Sequence, residues 1–405
     1  MSELVDAADE GNLEKVKTLL SEGVDPKQTD PETTYFPLLV ASRHGYIDIV
    51  KELLKSPKID PNQLQGNFPM TSLDYAVLGN HFVVVTELLE AGADPNITNP
   101  FNGQFSLFLA AERGFAFIIK ELLEFGAKPN QVNPTTLYFP LLVASEKGHI
   151  RAVKELLKSS KIKVNKFHSI SGYKSLDLAA MEGYVLIVTE LLNAGAKPNS
   201  ISSLSGYFPL LSASKNGFDN VVKVLLQHKA DPDLWNPFTG EFPLLAAVLN
   251  NDIITTEELL KNGANPDKEN SFTGIFPLLI AVLNNNIIMV EKLMEYGANP
   301  SKQYNGRDLL DIFNEEVKNG DPWIPAALHR PLIGDRNDVI TREKILHKNF
   351  SGVKLVAIQN PNHNGVKIQY HKGKGFCQHV IQKEILIGHL KKMSIKSPCP
   401  ECEIE

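Results

Sequence analysis

The three cysteines of this 405-residue chain, Cys377, Cys399 and Cys402, all lie near its C-terminal end. His379 stands two residues after Cys377, and Cys399 and Cys402 form a Cys-x-x-Cys pair. Three thiolates and one imidazole can close a tetrahedron around a structural zinc ion, with no open position for water. We therefore predict one Zn²⁺ per chain, held by these four residues. The alternative is a set of buried or surface thiols with an unrelated histidine.

Short elements around this cluster must position the ligands. Two apolar runs, at residues 353–358 and 366–370, flank a stretch rich in Asn, Pro and Gly, which predicts a β-hairpin. An amphipathic helix is predicted from about Gln382 to Lys392. The breaker-rich stretch from Asn319 to Pro325 predicts a domain boundary. We therefore predict a connector over residues 319–349 and a small zinc-stabilised α+β domain over residues 350–405.

The Cys-x-His and Cys-Pro-x-Cys pairs resemble the RING and U-box superfamily. RING fingers hold two zinc ions, but Gln382 and Ile385 stand where the middle cysteines would be. A single zinc is typical of the SP-RING variant found in SUMO ligases, while U-boxes replace both zincs with hydrogen bonds. The resemblance therefore implies a RING/U-box-like domain with one zinc.

Such ligases act without a catalytic residue, because they only position a charged conjugating enzyme near a substrate lysine. The resemblance implies an apolar docking patch made of Ile358, Leu386 and Pro400. Glu403 departs from the pattern, since many RING fingers carry a basic residue just after the final cysteine.

Residues 1–318 repeat with a period of about 34 residues, close to a known repeat period of ~33. The phrase Phe-Pro-Leu-Leu opens most units, at Phe36, Phe139, Phe208, Phe242 and Phe276, with variants at Phe68 and Phe105. Small residues, often a glycine, and an apolar run ending in a Leu pair follow. Most units close like Ala91-Gly92-Ala93-Asp94-Pro95-Asn96. Each unit predicts two short helices whose apolar faces only neighbouring units can cover.

This repeat closely resembles the ankyrin family, with Phe in place of the family's Thr and Leu in place of its His. About nine units are predicted, from a first cap at Leu4 to a closing half-repeat at residues 307–318. Ser72-Leu73-Asp74 matches Ser175-Leu176-Asp177, which indicates that a block of three repeats was duplicated. The expected fold is mainly α, an elongated and curved ankyrin-repeat α-solenoid followed by the small zinc domain.

Ankyrin units project hairpin fingers beside a groove, and aromatic side chains on such fingers suit binding hot spots. The predicted partner-binding residues are Tyr35, Phe101, Tyr138, Tyr207, Trp235, Phe238 and Phe272. The alternative is that each ring packs against the adjoining finger. No catalytic constellation emerges within the repeats.

The net charge of −6 and the pI near 6.0 argue against a general nucleic-acid or membrane-surface binder. No apolar run of membrane-spanning length occurs, and the N-terminus lacks signal-peptide features. So few cysteines favour a reducing compartment, the cytoplasm or the nucleus.

The leading hypothesis is a substrate-recruiting ubiquitin-type ligase, whose array binds a target protein and whose C-terminal domain docks a conjugating enzyme. The alternatives are a non-enzymatic adaptor with a structural zinc domain and a SUMO-type ligase. Either could be a pathogen effector that acts inside a host cell.

Overall fold

The computed structural model describes residues 2–64, 69–317, 320–321 and 323–328, and two strands at 354–359 and 366–371. The backbone divides into two units, Met1–Pro277 and Leu278–Glu405. Each unit is described by itself.

The first unit is a stack of helix pairs. The first helices of the pairs are α1 (Glu3–Asp9), α3 (Pro37–His44), α5 (Ser72–Leu78), α7 (Ser106–Arg113), α9 (Pro140–Glu146), α11 (Ser175–Met181), α13 (Pro209–Asn216) and α15 (Pro243–Leu249). The second helices are α2 (Leu13–Ser21), α4 (Ile47–Leu54), α6 (Phe82–Glu90), α8 (Ala116–Glu124), α10 (Ile150–Leu157), α12 (Val185–Asn193), α14 (Asp219–Gln227) and α16 (Ile253–Lys261). Each first helix packs against the first helices before and after it, and the second helices do the same.

The opening phrase explains where most first helices begin. In α3, Phe36 is the N-cap residue with extended backbone, and Pro37 follows in the first turn, where its missing N–H costs nothing. The helix ends at Gly45, whose φ of 79° is left-handed. A β-carbon at Gly45 would also collide with the imidazole of His81 in the next pair, so this position requires glycine.

The phenylalanines that cap these helices form the centre of the core. They are at most 2% exposed, and they are Phe36, Phe105, Phe139, Phe208, Phe242 and Phe276. The phenylalanine that stands in place of the family's Thr therefore contributes apolar packing between repeats.

One ankyrin-like repeat begins at a different residue from the one we predicted. Helix α5 begins at Ser72, with Thr71 as its N-cap, so Thr71 and not Phe68 takes the position of Phe36. The physical reason is a capping box, in which Thr71 and Asp74 each accept the other's backbone N–H. Phe68 itself lies outside the described residues.

The second unit contains the rest of the helices and a hairpin. Helix α17 (Pro277–Leu283) begins at the unit boundary, and α18 (Ile287–Glu295), α19 (Leu309–Glu316) and α20 (Trp323–Leu328) follow. Because α20 packs against both α18 and α19, helix pairing continues past residue 318.

Strands β1 (Lys354–Gln359) and β2 (Val366–His371) pair antiparallel, with Lys354 opposite His371 and Gln359 opposite Val366. The pairing confirms the hairpin predicted from the two apolar runs. Among the residues described, no helix is long and apolar enough to cross a membrane.

Candidate partner-binding site

The segments that join one helix pair to the next form the fingers, and each finger is closed by hydrogen bonds at its base. The N–H of Asn236 donates to the carbonyl of Glu241 at 2.8 Å, and Gly240 N–H donates back to the carbonyl of Asn236 at 2.8 Å. The side-chain oxygen of Asn236 then accepts the N–H of Phe238 at 2.9 Å. This tight turn directs Phe238 away from the core.

Four of the predicted aromatic residues project into solvent. Phe101 is 71% exposed, Phe238 58% and Phe272 65%, each two residues after a finger-base asparagine. Trp235 is 49% exposed, and the ammonium group of Lys268 lies 4.8 Å from its ring centroid. Large apolar rings held on tight turns are the side chains that interface hot spots favour.

The three predicted tyrosines are instead half-buried and engaged within the array. The Tyr35 ring meets Tyr75 edge-on, with centroids 6.5 Å apart. Tyr138 donates from its hydroxyl to Glu146 at 2.9 Å, and Tyr207 accepts a hydrogen bond from Lys215 at 2.7 Å. The seven predicted partner-binding residues therefore fall into two groups, four exposed rings and three packed tyrosines. A partner could contact only the edges of the packed tyrosines.

The environment of Tyr138 changes its acidity. Burial, together with the hydrogen bond to the Glu146 carboxylate, raises the pKa of Tyr138 to about 12. Its hydroxyl therefore remains a neutral donor at physiological pH, and the structure indicates no acid–base chemistry there.

Sequence reasoning missed the polar ladder that links the fingers. The side-chain amides of Asn133, Asn236 and Asn270 each donate to a carbonyl in the preceding finger, at 2.9–3.0 Å. Asn236 is fully buried and its bond to Ser205 is part-buried, so leaving the amide unpaired would be costly. The sequence signal for this ladder was an asparagine that recurs at one position of the fingers. Three fingers carry Asp30, His168 or Ser202 at that position instead.

Two buried carboxyl groups mark the duplicated block. Asp74 accepts hydrogen bonds from Ser106 Oγ at 2.7 Å and from Thr71 N–H at 3.0 Å, and burial raises its pKa. Asp177 accepts the N–H of Lys174 at 2.7 Å, while its Oδ1 has no partner in the described part of the chain.

The difference between these two carboxyls has a simple cause. Ser106 begins α7, the first helix of the repeat after that of Asp74, and Pro209 begins α13, the first helix of the repeat after that of Asp177. Proline has no hydroxyl to donate, so Asp177 lacks the hydrogen bond that Ser106 gives to Asp74. Burial raises the pKa of both carboxyl groups, that of Asp177 to about 7.

The predicted metal ligands Cys377, His379, Cys399 and Cys402 lie outside the described residues, as do Leu386 and Pro400. Ile358 lies on β1. Within the described ranges, no group of three or more His, Cys, Asp or Glu side chains could hold a metal ion.

Comparison with known proteins agrees with the helix pairs. The family described as "Ankyrin repeats (3 copies)" matches residues 4–99, 107–202 and 210–304. The chain belongs to the ankyrin-repeat family. Its fold is mainly a helical ankyrin-repeat solenoid, and its ankyrin repeats suggest an adaptor that works through protein–protein interaction.

Similar curated proteins match only part of this chain's length. The chain is 35% identical over 117 residues to "Ankyrin repeat and KH domain-containing protein mask-1" of Caenorhabditis elegans, which covers 28% of this chain and 4% of that protein. It is 34% identical over 98 residues to "Putative palmitoyltransferase ZDHHC13" of Danio rerio, which covers 24% of this chain and 15% of that protein. The chain thus spans a small fraction of these curated relatives.

A solved structure supports the fold alone. The ankyrin repeat domain of Bcl-3, described as a unique member of the IkappaB protein family, has a TM-score of 0.50 and 22% sequence identity. The alignment covers 56% of this chain and 98% of that domain.

Proposed function

We propose that this chain captures a target protein on its ankyrin array and brings ubiquitin-type conjugation to it through residues 350–405. The observation that supports capture most strongly is the set of exposed rings at Phe101, Trp235, Phe238 and Phe272. The clustering of every cysteine in one four-ligand pattern near the C-terminal end supports the conjugation part.

The finger geometry suits capture because the rings are held before a partner arrives. Phe238 and Phe272 follow asparagines whose side chains accept their backbone N–H at 2.9 Å and donate to the preceding finger. A ring on such a closed turn loses little backbone entropy on binding, which favours affinity. The finger tips that carry Phe238 and Phe272 belong to neighbouring repeats, so a partner helix or strand could contact both rings.

The donor set in the C-terminal region fits zinc. Cys377, Cys399 and Cys402 would supply thiolates and His379 an imidazole, which is a closed ligand set for a structural site. The hairpin of β1 and β2 precedes Cys377 in the chain, as the predicted order of elements requires. Bound zinc would supply a tetrahedral anchor, and a region of this size depends on such an anchor to fold.

In this proposal the chain's own residues act by positioning. Ile358, Leu386 and Pro400 would form an apolar patch for the conjugating enzyme, and a lysine of the captured protein would attack the enzyme's thioester. No residue of this chain forms a covalent bond in that scheme.

A non-enzymatic adaptor is the second candidate, and Glu403 favours it. An acidic residue after the last cysteine would repel the carboxylates of an acidic conjugate, whereas the resemblance calls for a basic residue there. In that case the zinc would serve only to fold the domain. A SUMO-type ligase and an effector acting in a host cell are variants of these two proposals.

The test is conjugation by the purified full-length chain with ATP, the activating enzyme and a panel of conjugating enzymes. We expect the wild-type chain to acquire a ladder of attached ubiquitin or SUMO, and Cys399→Ser to acquire none. If the zinc-loaded chain is inactive with every conjugating enzyme tested, for ubiquitin and for SUMO, the adaptor is the better description.

A further inference from the structure

The loop that follows each second helix carries, at one repeating position, a residue whose charge changes along the array. In six loops that residue is acidic or an amide, namely Asp25, Asp60, Asp94, Asp231, Asn265 and Asn299. In three consecutive loops it is lysine instead, at Lys128, Lys163 and Lys197. We call these three lysines the basic ledge.

The three lysines cannot make a side-chain-to-backbone hydrogen bond that the other six loops make. At each of the six other positions, the side-chain oxygen accepts the N–H two residues later, at 2.9–3.1 Å. A lysine ammonium has no acceptor, so it cannot close this turn. Loop stability therefore favours Asp or Asn, and does not explain lysine in three neighbouring units.

A second ladder of hydrogen bonds places the three lysines side by side. The N–H groups of Lys128, Lys163 and Lys197 each donate to the side-chain oxygen of an asparagine in the preceding loop, at 2.8–2.9 Å. Neighbouring packed helices lie about 8–10 Å apart, so the ledge extends over roughly 20 Å. All three side chains are exposed, and in the described chain none has a carboxylate within 4 Å.

An open depression of about 580 Å³ lies at the middle of the ledge, beside Lys163. Its lining combines apolar and basic side chains, including Val132, Leu137, Lys166 and Phe167. The Phe167 ring is 57% exposed, so an apolar surface is open to solvent next to the lysines.

Lys166 adds positive charge at this point. Its ammonium donates to the carbonyl of Asn130 at 3.2 Å and lies 5.4 Å from the centroid of the Phe139 ring. Burial, followed by the nearby charge of Lys163, lowers the pKa of Lys166. The depression therefore brings the positive charges of Lys163 and Lys166 close together, and an anionic partner would reduce the repulsion between them.

We infer that the basic ledge and its depression bind an acidic, extended segment of a partner protein, with one apolar side chain inserted beside Phe167. At about 3.3 Å per residue, a segment of roughly seven residues spans the ledge. The inference rests on the protein-binding part of the proposed function and is independent of zinc and of conjugation.

The ends of the ledge limit the length of the partner segment. Asp94 and Asp231 occupy the equivalent loop positions on either side, and the whole chain carries a net charge of −6. A long polyanion such as a nucleic acid would run from the lysines onto these carboxylates. A short acidic peptide meets the lysines alone.

The test uses a fluorescein-labelled nonapeptide with a central leucine and four acidic residues on each side, titrated with the full-length chain at low salt. The ledge variant carries Lys128→Asp, Lys163→Asp and Lys197→Asp. The control variant carries Lys27→Asp, Lys58→Asp and Lys223→Asp, which change the net charge equally at exposed positions elsewhere. Fluorescence anisotropy gives the affinity, and thermal unfolding gives Tm.

We expect the ledge variant to bind at least about tenfold more weakly than wild type, since three charge contacts become repulsions. Its Tm should equal or exceed that of the control variant, because aspartate restores the turn hydrogen bond. A peptide with serine in place of the central leucine should also bind several-fold more weakly, because it leaves the depression empty.

Three outcomes would overturn the inference. These are equal binding by the wild-type chain and the ledge variant, an equal loss in the control variant, and equal affinity for a single-stranded oligonucleotide of the same charge. Failure of the conjugation assay would leave this binding result untouched, so the two proposals fail separately.

Discussion

Replacing Asp177 by Asn should remove a loss of folding stability that the ankyrin array suffers as the pH rises. Asp177 is 1% exposed, and its carboxyl group accepts one backbone N–H, from Lys174. Its second oxygen has no partner in the described structure, because Pro209 stands where Ser106 donates to Asp74. The charged form of Asp177 is therefore poorly solvated in the folded chain.

The size of the effect follows from the pKa difference between the folded and unfolded states. Burial raises the pKa of Asp177 to about 7 in the folded chain, whereas an unfolded aspartate titrates near ~3.9. Between these values the folded chain holds a proton that the unfolded chain has released, so the free energy of unfolding falls as the pH rises. The full difference amounts to roughly 4 kcal/mol, of which roughly 2.5 kcal/mol falls between pH 5 and pH 8.

Urea unfolding of the wild-type chain and Asp177→Asn at pH 5 and pH 8 measures this difference. The free energy of unfolding of the variant, relative to that of wild type, should be roughly 2–3 kcal/mol higher at pH 8 than at pH 5. Pro209→Ser should reduce the wild-type pH dependence by restoring a hydroxyl donor, since hydrogen bonds to charged groups contribute about 1.5–3 kcal/mol. Asp48→Asn, at an exposed position, is the control for loss of one carboxyl group.

A constant difference between wild type and Asp177→Asn from pH 5 to pH 8 would refute this reasoning. It would mean that Asp177 does not titrate in that window and that its second oxygen is solvated. An unchanged slope in Pro209→Ser would show that the missing hydroxyl is not the cause.

Three further predictions concern the ladder, the tips and the metal. Asn236→Ala should lower the free energy of unfolding by about 1–2 kcal/mol, measured by urea titration, because it removes part-buried hydrogen bonds to backbone groups of two fingers. Phe238→Ala with Phe272→Ala should weaken partner pull-down while changing stability by no more than about 1 kcal/mol, whereas the fully buried Phe242→Ala should cost about 3–5 kcal/mol; a large stability loss in the tip variant with binding retained would identify the tips as packing residues. Elemental analysis should find one zinc per wild-type chain and almost none in Cys399→Ser; a wild-type value near zero under reducing conditions would favour a metal-free U-box-like fold.

The period of the sequence predicted the helix pairs because the signals are local. Pro37 begins a helix, Gly45 ends it, and Val50 and Leu53, three residues apart, lie on the buried face of the next helix. The same local signals misaligned one unit, since Phe68-Pro69 resembles the opening phrase while Thr71 is the actual cap.

The contacts that hold the fingers together could not be predicted in the same way. The side chain of Asn236 bonds to the carbonyl of Ser205, which belongs to the preceding unit. Serine at 202 and histidine at 168 serve the same purpose with different chemistry, so no single residue type marks the ladder. The unpaired oxygen of Asp177 likewise depends on Pro209, and a helix pattern does not reveal which side chain a buried carboxyl faces.

The most direct measurement compares what the array captures with what the chain modifies. Residues 1–328 and the full-length chain, each immobilised, would be incubated with one cell extract supplemented with ATP and ubiquitin, and the bound proteins would be quantified by mass spectrometry. We predict that both chains capture the same proteins, and that ubiquitin-modified lysines increase on those proteins only with the full-length chain and not with Cys399→Ser. Capture without any added modification, or modification of proteins that the array does not bind, would contradict the proposal that the array selects the target of conjugation.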